Sequence, residues 1–276
     1  MKTWFITGAS RGFGNLVAAE ALKRGDRVVA TARNPEALEE LLKASSDNIL
    51  ALRVDVTDKA SISAAVQDAE EKFGSIDILF NNAGIGYFAA VEESDDAEVR
   101  RMMEINVFGL AAVTNAILPS MRKRGMGTIL NVSSIGGVRS FPAVGWYNAS
   151  KFAVEGLSEA LDLEVSPLGI RVVLIEPSAF ATDWAGNSAN EVRADQVIAD
   201  YDQTAGAQRR TFRANVGKEP GDPAKAAIAI VDVAHEANPP KRLPLGKFAY
   251  DGLLEKMDMI RADIAAREQV SRGADR

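Results

Sequence analysis

Short, continuous apolar runs recur along the first two thirds of the chain, and segments with helical signals separate them. Continuous rather than alternating runs are typical of parallel strands that are buried on both faces. Their alternation with helices predicts an α/β fold, a doubly wound, mostly parallel sheet of about seven strands with helices on both faces. The runs cover residues 4–6, 28–30, 49–52, 78–80, 129–132 and 172–175.

The chain shows no internal boundary. No repeat, low-complexity stretch or Ser/Gly linker divides the 276 residues, which predicts a single domain over residues 1–260. Within it, residues 178–215 are polar with isolated aromatic residues, and we interpret them as a lid over a binding site. Residues 242–246 predict a short edge strand, and the charged residues 261–276 predict a frayed C-terminal tail.

Charge and composition exclude several classes of partner and site. The net charge is −6 and no basic run stands out, so neither nucleic acid nor an anionic membrane is an expected partner. The chain has no cysteine and one histidine, His235, which excludes disulfides, thiolate sites and multi-histidine metal sites. No apolar run fits a signal peptide or the ~20 residues of a membrane span, so we expect a cytoplasmic protein.

A glycine-rich turn with the spacing Gly-x-x-x-Gly-x-Gly follows the first predicted strand and opens the first predicted helix. Glycines let the backbone approach a pyrophosphate, and a helix N-terminus supplies N–H donors and the positive end of the helix dipole. A tight turn without a ligand is the alternative, but the position after strand one favours dinucleotide binding. The candidate residues are Thr7, Gly8, Ser10, Arg11, Gly12, Phe13 and Gly14.

The end of the second predicted strand distinguishes between the two nicotinamide dinucleotides. NAD-selective sites usually carry an Asp or Glu there, which accepts from the ribose 2′-hydroxyl. This chain has Thr31-Ala32-Arg33 instead, and Arg33, helped by Arg11, could pair with a 2′-phosphate. We therefore predict NADP(H) as the cofactor, with NAD(H) as the less favoured alternative.

Polar and small residues also follow the third and fourth predicted strands. Asp55, which precedes Val56, could accept a hydrogen bond from an adenine amine, and capping of the next helix is an equally good interpretation. Asn82, Ala83 and Gly84 are small or amide residues that can pass close to a cofactor and satisfy backbone groups. Both stretches are therefore candidate parts of a cofactor site.

Tyr147 and Lys151 are four residues apart in a segment without proline or glycine, so a helix would place both on one face. A lysine cation favours the phenolate and lowers the pKa of a tyrosine, whose ordinary value is near ~10. Lowering that pKa to about 7 takes roughly 4 kcal/mol, which requires a desolvated site with more than one positive charge. The spacing alone also fits two residues that merely share a helix face.

Together these motifs resemble the short-chain dehydrogenase/reductase family, in its single-domain branch, over nearly the whole chain to about residue 185. In that family the tyrosine is the catalytic acid/base, and the lysine binds the nicotinamide ribose and lowers the tyrosine pKa. A serine before that tyrosine orients the substrate oxygen in the family, and an asparagine in an earlier helix holds a water in a proton relay. The resemblance implies these roles for Tyr147, Lys151, Ser134 and Asn106, in that order.

Further positions follow from the same resemblance. The family's usual interval before the tyrosine selects Ser134 rather than Ser133 as the serine that orients the substrate oxygen. Ser133 is then expected to support the site from behind. Thr182 lies where the family hydrogen-bonds the nicotinamide carboxamide, so Thr182 and Pro177 are expected to contact the cofactor. Ser178 stands where the family usually has glycine after this proline, which implies a stiffer loop.

The motifs predict a hydride transfer between NADPH and a small-molecule carbonyl compound or secondary alcohol. A non-catalytic nucleotide-binding sensor or scaffold with the same fold is the alternative, and the intact set of four site residues argues against it. A serine hydrolase is disfavoured because the chain has no Gly-x-Ser-x-Gly motif and a single histidine.

Aromatic residues near the motifs predict an apolar substrate pocket. No cluster of Arg or Lys follows the tyrosine stretch closely, which favours a hydrophobic ketone or alcohol over a phosphorylated or carrier-bound one. The substrate-binding candidates are Ser134, Tyr147, Tyr87, Phe180 and Trp184.

Two predicted helices, 106–124 and 147–167, are apolar over more than one face. One face packs on the sheet, and we expect the other to bury against a second subunit. These helices often form the oligomer contact in the family, so the resemblance implies a homodimer or homotetramer.

Overall fold

A seven-stranded parallel sheet forms the centre of the computed structural model, which describes residues 1–44, 47–182, 184–186 and 188–275. The described strands are β1 (Thr3–Ile6), β2 (Arg27–Ala32), β3 (Ile49–Arg53), β4 (Ile78–Asn81), β5 (Gly86–Phe88), β6 (Gly127–Val132), β7 (Ile170–Pro177), β8 (Ala189–Glu191) and β9 (Arg242–Leu245). The large sheet has the order β3-β2-β1-β4-β6-β7-β9, and its pairings are parallel. The predicted fold class is confirmed.

Helices cover both faces of this sheet. The helices are α1 (Gly12–Lys23), α2 (Glu39–Ala44), α3 (Lys59–Phe73), α4 (Asp96–Met103), α5 (Leu110–Arg124), α6 (Gly145–Val165), α7 (Ala207–Ala214), α8 (Pro223–His235), α9 (Lys247–Ala265) and α10 (Glu268–Arg272). Local sequence explains several of their ends. The side chain of Asp58 accepts from the N–H of Ala60 and caps the N-terminus of α3. The side chain of Asp222 caps the N-terminus of α8 in the same way. Gly74, at φ 84°, ends α3.

The two faces of the sheet bury separate apolar layers, because alternate residues of a strand point to opposite faces. Trp4 and Ile6 of β1 pack with residues of α1 and α8, whereas Phe5 packs with residues of α3 and α5. All three side chains are fully buried. Burial of such a side chain contributes roughly 1.5–3 kcal/mol, so the strands are held firmly in place.

The strand order reverses between β1 and β4, which opens a crevice at the carboxyl ends of these two strands. The glycine-rich turn follows β1, and the stretch 82–84 follows β4. Ser133 and Ser134 follow β6, the next strand in the sheet. The topology therefore gathers the predicted site residues at one edge of the sheet.

One helical stretch in the described residues, Asp96–Arg124, is long and apolar enough by length and composition to cross a membrane. This finding differs from the expectation that no such segment exists. The stretch joins α4 and α5 through a π-helical turn, Glu104–Gly109. Its residues Val113, Ile117 and Met121 pack fully buried against the sheet, so in this fold it is a layer of the α/β core.

A second, two-stranded parallel sheet was not predicted. It pairs β5 with β8 and ties the residues after β4 to the predicted lid, 178–215. Within that segment the elements of the described residues are β8, short 3₁₀- and π-helical turns, and α7. At the C-terminus, the predicted frayed tail is helical in the last residues of α9 and in α10, and its side chains are exposed over residues 261–275.

Candidate active site

A cavity of about 840 Å³ runs along the carboxyl edge of the sheet. It reaches from the glycine-rich turn to the helix that carries Tyr147 and Lys151. The predicted residues that line it are Gly8, Ser10, Arg11, Gly12, Phe13, Arg33, Asp55, Val56, Asn82, Ala83, Gly84, Ser134, Tyr147, Lys151, Pro177, Phe180, Thr182 and Trp184. The fold thus brings most of the predicted site into contact with one space.

Two predicted cofactor residues, Thr7 and Gly14, lie behind the lining of this cavity rather than in it. The Thr7 hydroxyl accepts hydrogen bonds from the backbone N–H groups of Asn82 and Ala83, both at 3.0 Å, and so fixes the 82–84 stretch beside β1. A Cβ at Gly14 would lie 2.4 Å from the carbonyl oxygen of Gly8. Both residues shape the turn, and their predicted contact with a cofactor stays a prediction.

The glycine-rich turn has the geometry of an anion site. Gly8 and Gly12 have φ angles of 67° and 56°, which a residue with a Cβ rarely adopts. Helix α1 begins at Gly12, and within the described residues no side chain caps it at Arg11. The first N–H groups of α1 therefore face the cavity as available donors, which fits the pyrophosphate of a dinucleotide.

The ends of β2 and β3 lie at the same end of the cavity. Arg33 is exposed at its rim. The Asp55 carboxylate accepts from the Thr57 N–H at 3.0 Å and from its hydroxyl at 2.8 Å. The backbone hydrogen bond from Thr57 is the main cause that lowers the pKa of Asp55, and Arg33 adds to it. Because Asp58 caps α3, helix capping is no longer the explanation for Asp55.

Tyr147 and Lys151 lie in the first two turns of α6 and are both buried. The Ser134 hydroxyl accepts from the Gly136 N–H at 3.0 Å and lies beside the Tyr147 ring. Burial raises the pKa of Tyr147 above its usual range, and the neighbouring Ser134 hydroxyl acts in the opposite direction. Burial also lowers the pKa of Lys151 to about 8, against the raising effect of Glu155.

The expected effect of Lys151 on the Tyr147 pKa stays a prediction. The Lys151 Nζ donates to the Val132 carbonyl at 2.8 Å and lies 5.7 Å from the centre of the Tyr147 ring. Among the protein's own groups, desolvation of the phenol has the largest influence on the Tyr147 pKa. A phenol in this site is therefore protonated at neutral pH.

Asn106 lies in the π-helical turn Glu104–Gly109 and is buried behind the cavity wall. Its side-chain amide accepts from the Ile85 N–H and donates to the Ile85 carbonyl, both at 2.9 Å, and donates to Ser150 Oγ at 3.2 Å. A Cβ at Gly84 would lie 3.2 Å from Asn106 Oδ1 and 3.9 Å from Lys151 Nζ. Gly84 therefore separates two groups that stand close together.

Comparison with known proteins agrees with this geometry. The model of the short chain dehydrogenase family matches residues 2–193. The chain belongs to the short-chain dehydrogenase/reductase family. It is 40% identical over 251 residues to "Oxidoreductase BOA17" of Botryotinia fuckeliana, covering 91% of this chain and 90% of that one. It is 38% identical over 251 residues to the 3-ketodihydrosphingosine reductase of Bacteroides thetaiotaomicron, covering 87% and 86%.

Solved structures of other short-chain dehydrogenases share the fold. A short-chain dehydrogenase from Streptomyces avermitilis is 41% identical with a TM-score of 0.92, and the match covers 100% of both chains. A family member from Burkholderia phymatum in complex with NAD is 25% identical with a TM-score of 0.81, covering 96% and 95%. An alcohol dehydrogenase from Thermococcus sibiricus complexed with 5-hydroxy-NADP is 26% identical with a TM-score of 0.72, covering 89% and 96%. Nicotinamide dinucleotides of both types therefore occupy relatives of this oxidoreductase.

The aromatic candidates of this short-chain dehydrogenase occupy different places. The centre of the Trp184 ring lies 4.8 Å from the centre of the Tyr147 ring, at the end of the cavity that α6 forms. Phe180 packs at 5.2 Å on Phe13, next to the glycine-rich turn, so its predicted place in the substrate site is corrected to the cofactor end. Tyr87 is buried in β5 and its hydroxyl accepts from the Asp95 N–H at 3.0 Å, so it lies outside the cavity lining.

Sequence reasoning missed part of the wall on the substrate side of this dehydrogenase. Gln208, Thr211, Phe212 and Asn215 line the cavity from one face of α7 and its end. Their spacing of three and four residues was a usable signal, because it places them on one side of a helix. Phe248 of α9 also lines the cavity, and no local pattern marks it.

The single histidine has no place in this cavity. His235 Nε2 lies 2.8 Å from Asp26 Oδ2, and its Nδ1 lies 2.8 Å from the Val231 carbonyl. Both ring nitrogens are engaged at the end of α8. The arrangement gives no support to a hydrolase in which this histidine would activate Ser134.

Proposed function

We propose that the protein is an NADP(H)-dependent oxidoreductase that acts on a hydrophobic ketone or aldehyde, or in reverse on the corresponding secondary alcohol. The observation that carries this proposal is the continuous cavity from Gly8 and Gly12 to the hydroxyls of Ser134 and Tyr147. A dinucleotide at the glycine-rich turn and a carbonyl compound at the hydroxyls would share this space.

The residues at the turn and at the strand ends fit a dinucleotide. The N-terminus of α1 would hold the pyrophosphate, and Asp55 and Val56 would lie beside the adenine. Lys151, Pro177 and Thr182 would hold the nicotinamide end. The bound cofactor supplies the hydride, while the chain positions it and controls the proton.

Tyr147 supplies that proton. Because burial raises the pKa of Tyr147, the phenol keeps its proton at neutral pH and is suited to act as a general acid during carbonyl reduction. The Ser134 hydroxyl donates to the same substrate oxygen and stabilises the developing negative charge. The Lys151 ammonium favours the phenolate once the proton has left. Asn106, whose side-chain amide is bonded to Ile85 and Ser150, would belong to the relay through which the proton is replaced.

The preference for NADP(H) rests on the end of β2. Arg33 stands at the cavity rim where an acidic residue would select NAD, and Arg11 lines the same end. A guanidinium suits a phosphate because its N–H groups can donate in pairs. Relatives bind either dinucleotide, so this chain's own basic residues support the choice.

The substrate side of the cavity favours an apolar molecule. Trp184, Phe141, Phe212 and Phe248 supply aromatic surface there. The 3-ketodihydrosphingosine reductase among the relatives is named for a ketone substrate. A ketone with an apolar chain is therefore the class we propose.

A carbonyl and alcohol panel tests the proposal, with NADPH and NADH supplied separately and the nicotinamide absorbance followed. We expect NADPH to be consumed, fastest with ketones that carry long or cyclic apolar groups. Saturable NADPH binding without turnover across the whole panel would contradict the proposal and would favour a non-catalytic sensor.

We also propose that the protein forms a homodimer or homotetramer through α5 and α6. Large apolar side chains are exposed on and next to these helices, among them Phe108, Phe152, Leu157 and Leu163. Exposed apolar groups of this kind favour contact with a second copy. Light scattering that shows a monomer at micromolar concentration would contradict this.

A further inference from the structure

A buried carboxylate lies one helical turn beyond Lys151. Glu155 follows it by four residues on α6, so both project from the same face of the helix, and the Glu155 side chain is 8% exposed. Glu176 of β7 and Arg242 of β9 meet Glu155 there. These three residues lie outside the cavity lining and so cannot be explained by contact with cofactor or substrate.

Arg242 joins this cluster to the surface. Its guanidinium donates to Glu155 Oε2 at 2.5 Å, and it also donates to Glu176 and Glu159. Glu176 is completely buried, whereas Glu159 is 61% exposed. Asp162, farther along α6, forms a separate pair with Lys241 at 2.7 Å. Three carboxylates thus surround one cation along a line from the core to solvent.

A single guanidinium does not balance these carboxylates in the interior. Burial, followed by the negative charge of Glu155, raises the pKa of Glu176 to about 7. Glu155 Oε1 and Glu176 Oε2 have no hydrogen-bond partner within the described part of the chain. A proton on Glu176 would leave Glu155 as the anionic partner of Arg242.

This anion lies one helical turn from the lysine of the proposed active site. Burial disfavours the charged form of Lys151, and the Glu155 carboxylate opposes that effect. The other groups around Lys151 are the phenol of Tyr147 on α6, the neutral Val132 carbonyl on β6, and the neutral Gly84 and Asn106. Among the described residues, Glu155 is therefore the counter-charge that acts on Lys151.

We propose that Glu155 is a positioning residue for Lys151: fixed by Arg242, which also holds Glu176, its carboxylate keeps the lysine positively charged beside Tyr147. The inference rests on the proposed function, in which Lys151 has to be a cation. Its first test needs no turnover, so the two can fail separately.

The first test follows the titration of Lys151 by NMR in protein labelled with ¹⁵N at the lysine Nζ, with the signal assigned by Lys151→Arg. We expect Glu155→Gln to lower the pKa of Lys151 by about one unit, since removal of an opposite charge one helical turn away has an effect of that order. Glu159→Gln is the matched control, because it contacts the same Arg242 from the exposed end of the cluster. It should leave the pKa of Lys151 unchanged.

Glu176→Gln provides a second variant should Glu155→Gln fold poorly. It replaces the Glu176 carboxyl group by a neutral amide but keeps the Glu155 charge, so we expect a smaller shift of the Lys151 pKa than for Glu155→Gln. An unchanged Lys151 titration in both variants would overturn the inference. A shift in Glu159→Gln equal to that in Glu155→Gln would overturn it as well, because a general loss of structure would then be the cause.

The second test is the pH dependence of carbonyl reduction. We expect the wild-type rate to fall as the pH rises through about 8, where Lys151 loses its proton. In Glu155→Gln this limb should move to lower pH by the same amount as the NMR titration. A wild-type protein without turnover at any pH would contradict the proposed function alone, and the NMR result would still decide the role of Glu155.

Discussion

The two ends of the cavity are built in different ways. The cofactor end consists mainly of backbone: Gly8 and Gly12 adopt left-handed angles, and the N-terminus of α1 follows a fully buried strand. The substrate end consists of side chains, such as Trp184 and Phe212, on short elements and of Phe248 on α9. Backbone geometry tolerates few substitutions, whereas a wall of side chains can change one residue at a time. Mutations should therefore separate cofactor binding from substrate binding.

Gly14→Ala should have the largest effect at the cofactor end. The added Cβ would lie 2.4 Å from the Gly8 carbonyl oxygen and 2.6 Å from Asn82 Nδ2, so the turn would have to shift. Overpacking of this kind costs about 1–3 kcal/mol, and we expect a tenfold to hundredfold loss of NADPH affinity. Fluorescence titration with NADPH measures it.

Gly156→Ala is the control for that substitution. In the described residues nothing lies within 4 Å of a Cβ at Gly156, which is in the interior of α6. We expect unchanged NADPH affinity and a rise of about 0.5–1 kcal/mol in the free energy of unfolding. Equal NADPH affinity in both alanine variants would refute the view that backbone geometry forms the cofactor end.

Arg33→Ala should have the next largest effect, confined to the choice of cofactor. Loss of a charge-assisted contact with a 2′-phosphate costs about 1.5–3 kcal/mol, so the preference for NADPH over NADH should fall by about tenfold or more. Arg53→Ala, at the end of the neighbouring strand β3 and outside the cavity lining, is the matched control. Ratios of kcat/KM with the two cofactors provide the measurement, and an unchanged ratio in Arg33→Ala would rule out its role.

Phe180→Ala and Trp184→Ala should have smaller effects, each on a different binding constant. Phe180 packs on Phe13 at the cofactor end, and Trp184 packs on Tyr147 at the substrate end. An aromatic contact contributes about 1 kcal/mol, so each change should be about fivefold. We expect Phe180→Ala to raise the Kd for NADPH and Trp184→Ala to raise the KM for the ketone. A rise of both constants in both variants would mean that the ends are not independent.

The sheet was predictable because its strands are continuous apolar runs buried on both faces. The runs at 4–6 and 172–175, for example, lie within β1 and β7. The strands β5 and β8 have three residues each, and so short a strand carries no periodic signal. Tyr87 was misplaced for this reason, since the pairing of β5 with β8 decides which way its side chain points.

The site was predictable where motif residues lie directly after a strand or on one helix face. The glycine-rich turn and the Tyr147–Lys151 pair are of this kind. Burial of the same pair depends on packing that the motif does not show, and it raises the Tyr147 pKa. The contact of Glu155 with Glu176 and Arg242 joins α6, β7 and β9, and residues so far apart in sequence meet only in the folded chain.

The measurement that tests the central claim most directly is carbonyl reduction by Tyr147→Phe under single-turnover conditions with NADPH prebound. The substitution removes the phenolic proton donor and keeps the ring that packs on Trp184. Loss of a general acid typically lowers a rate by about a hundredfold or more, and we expect that loss with NADPH affinity within about twofold of wild type. Hydride transfer at the wild-type rate in this variant would contradict the account.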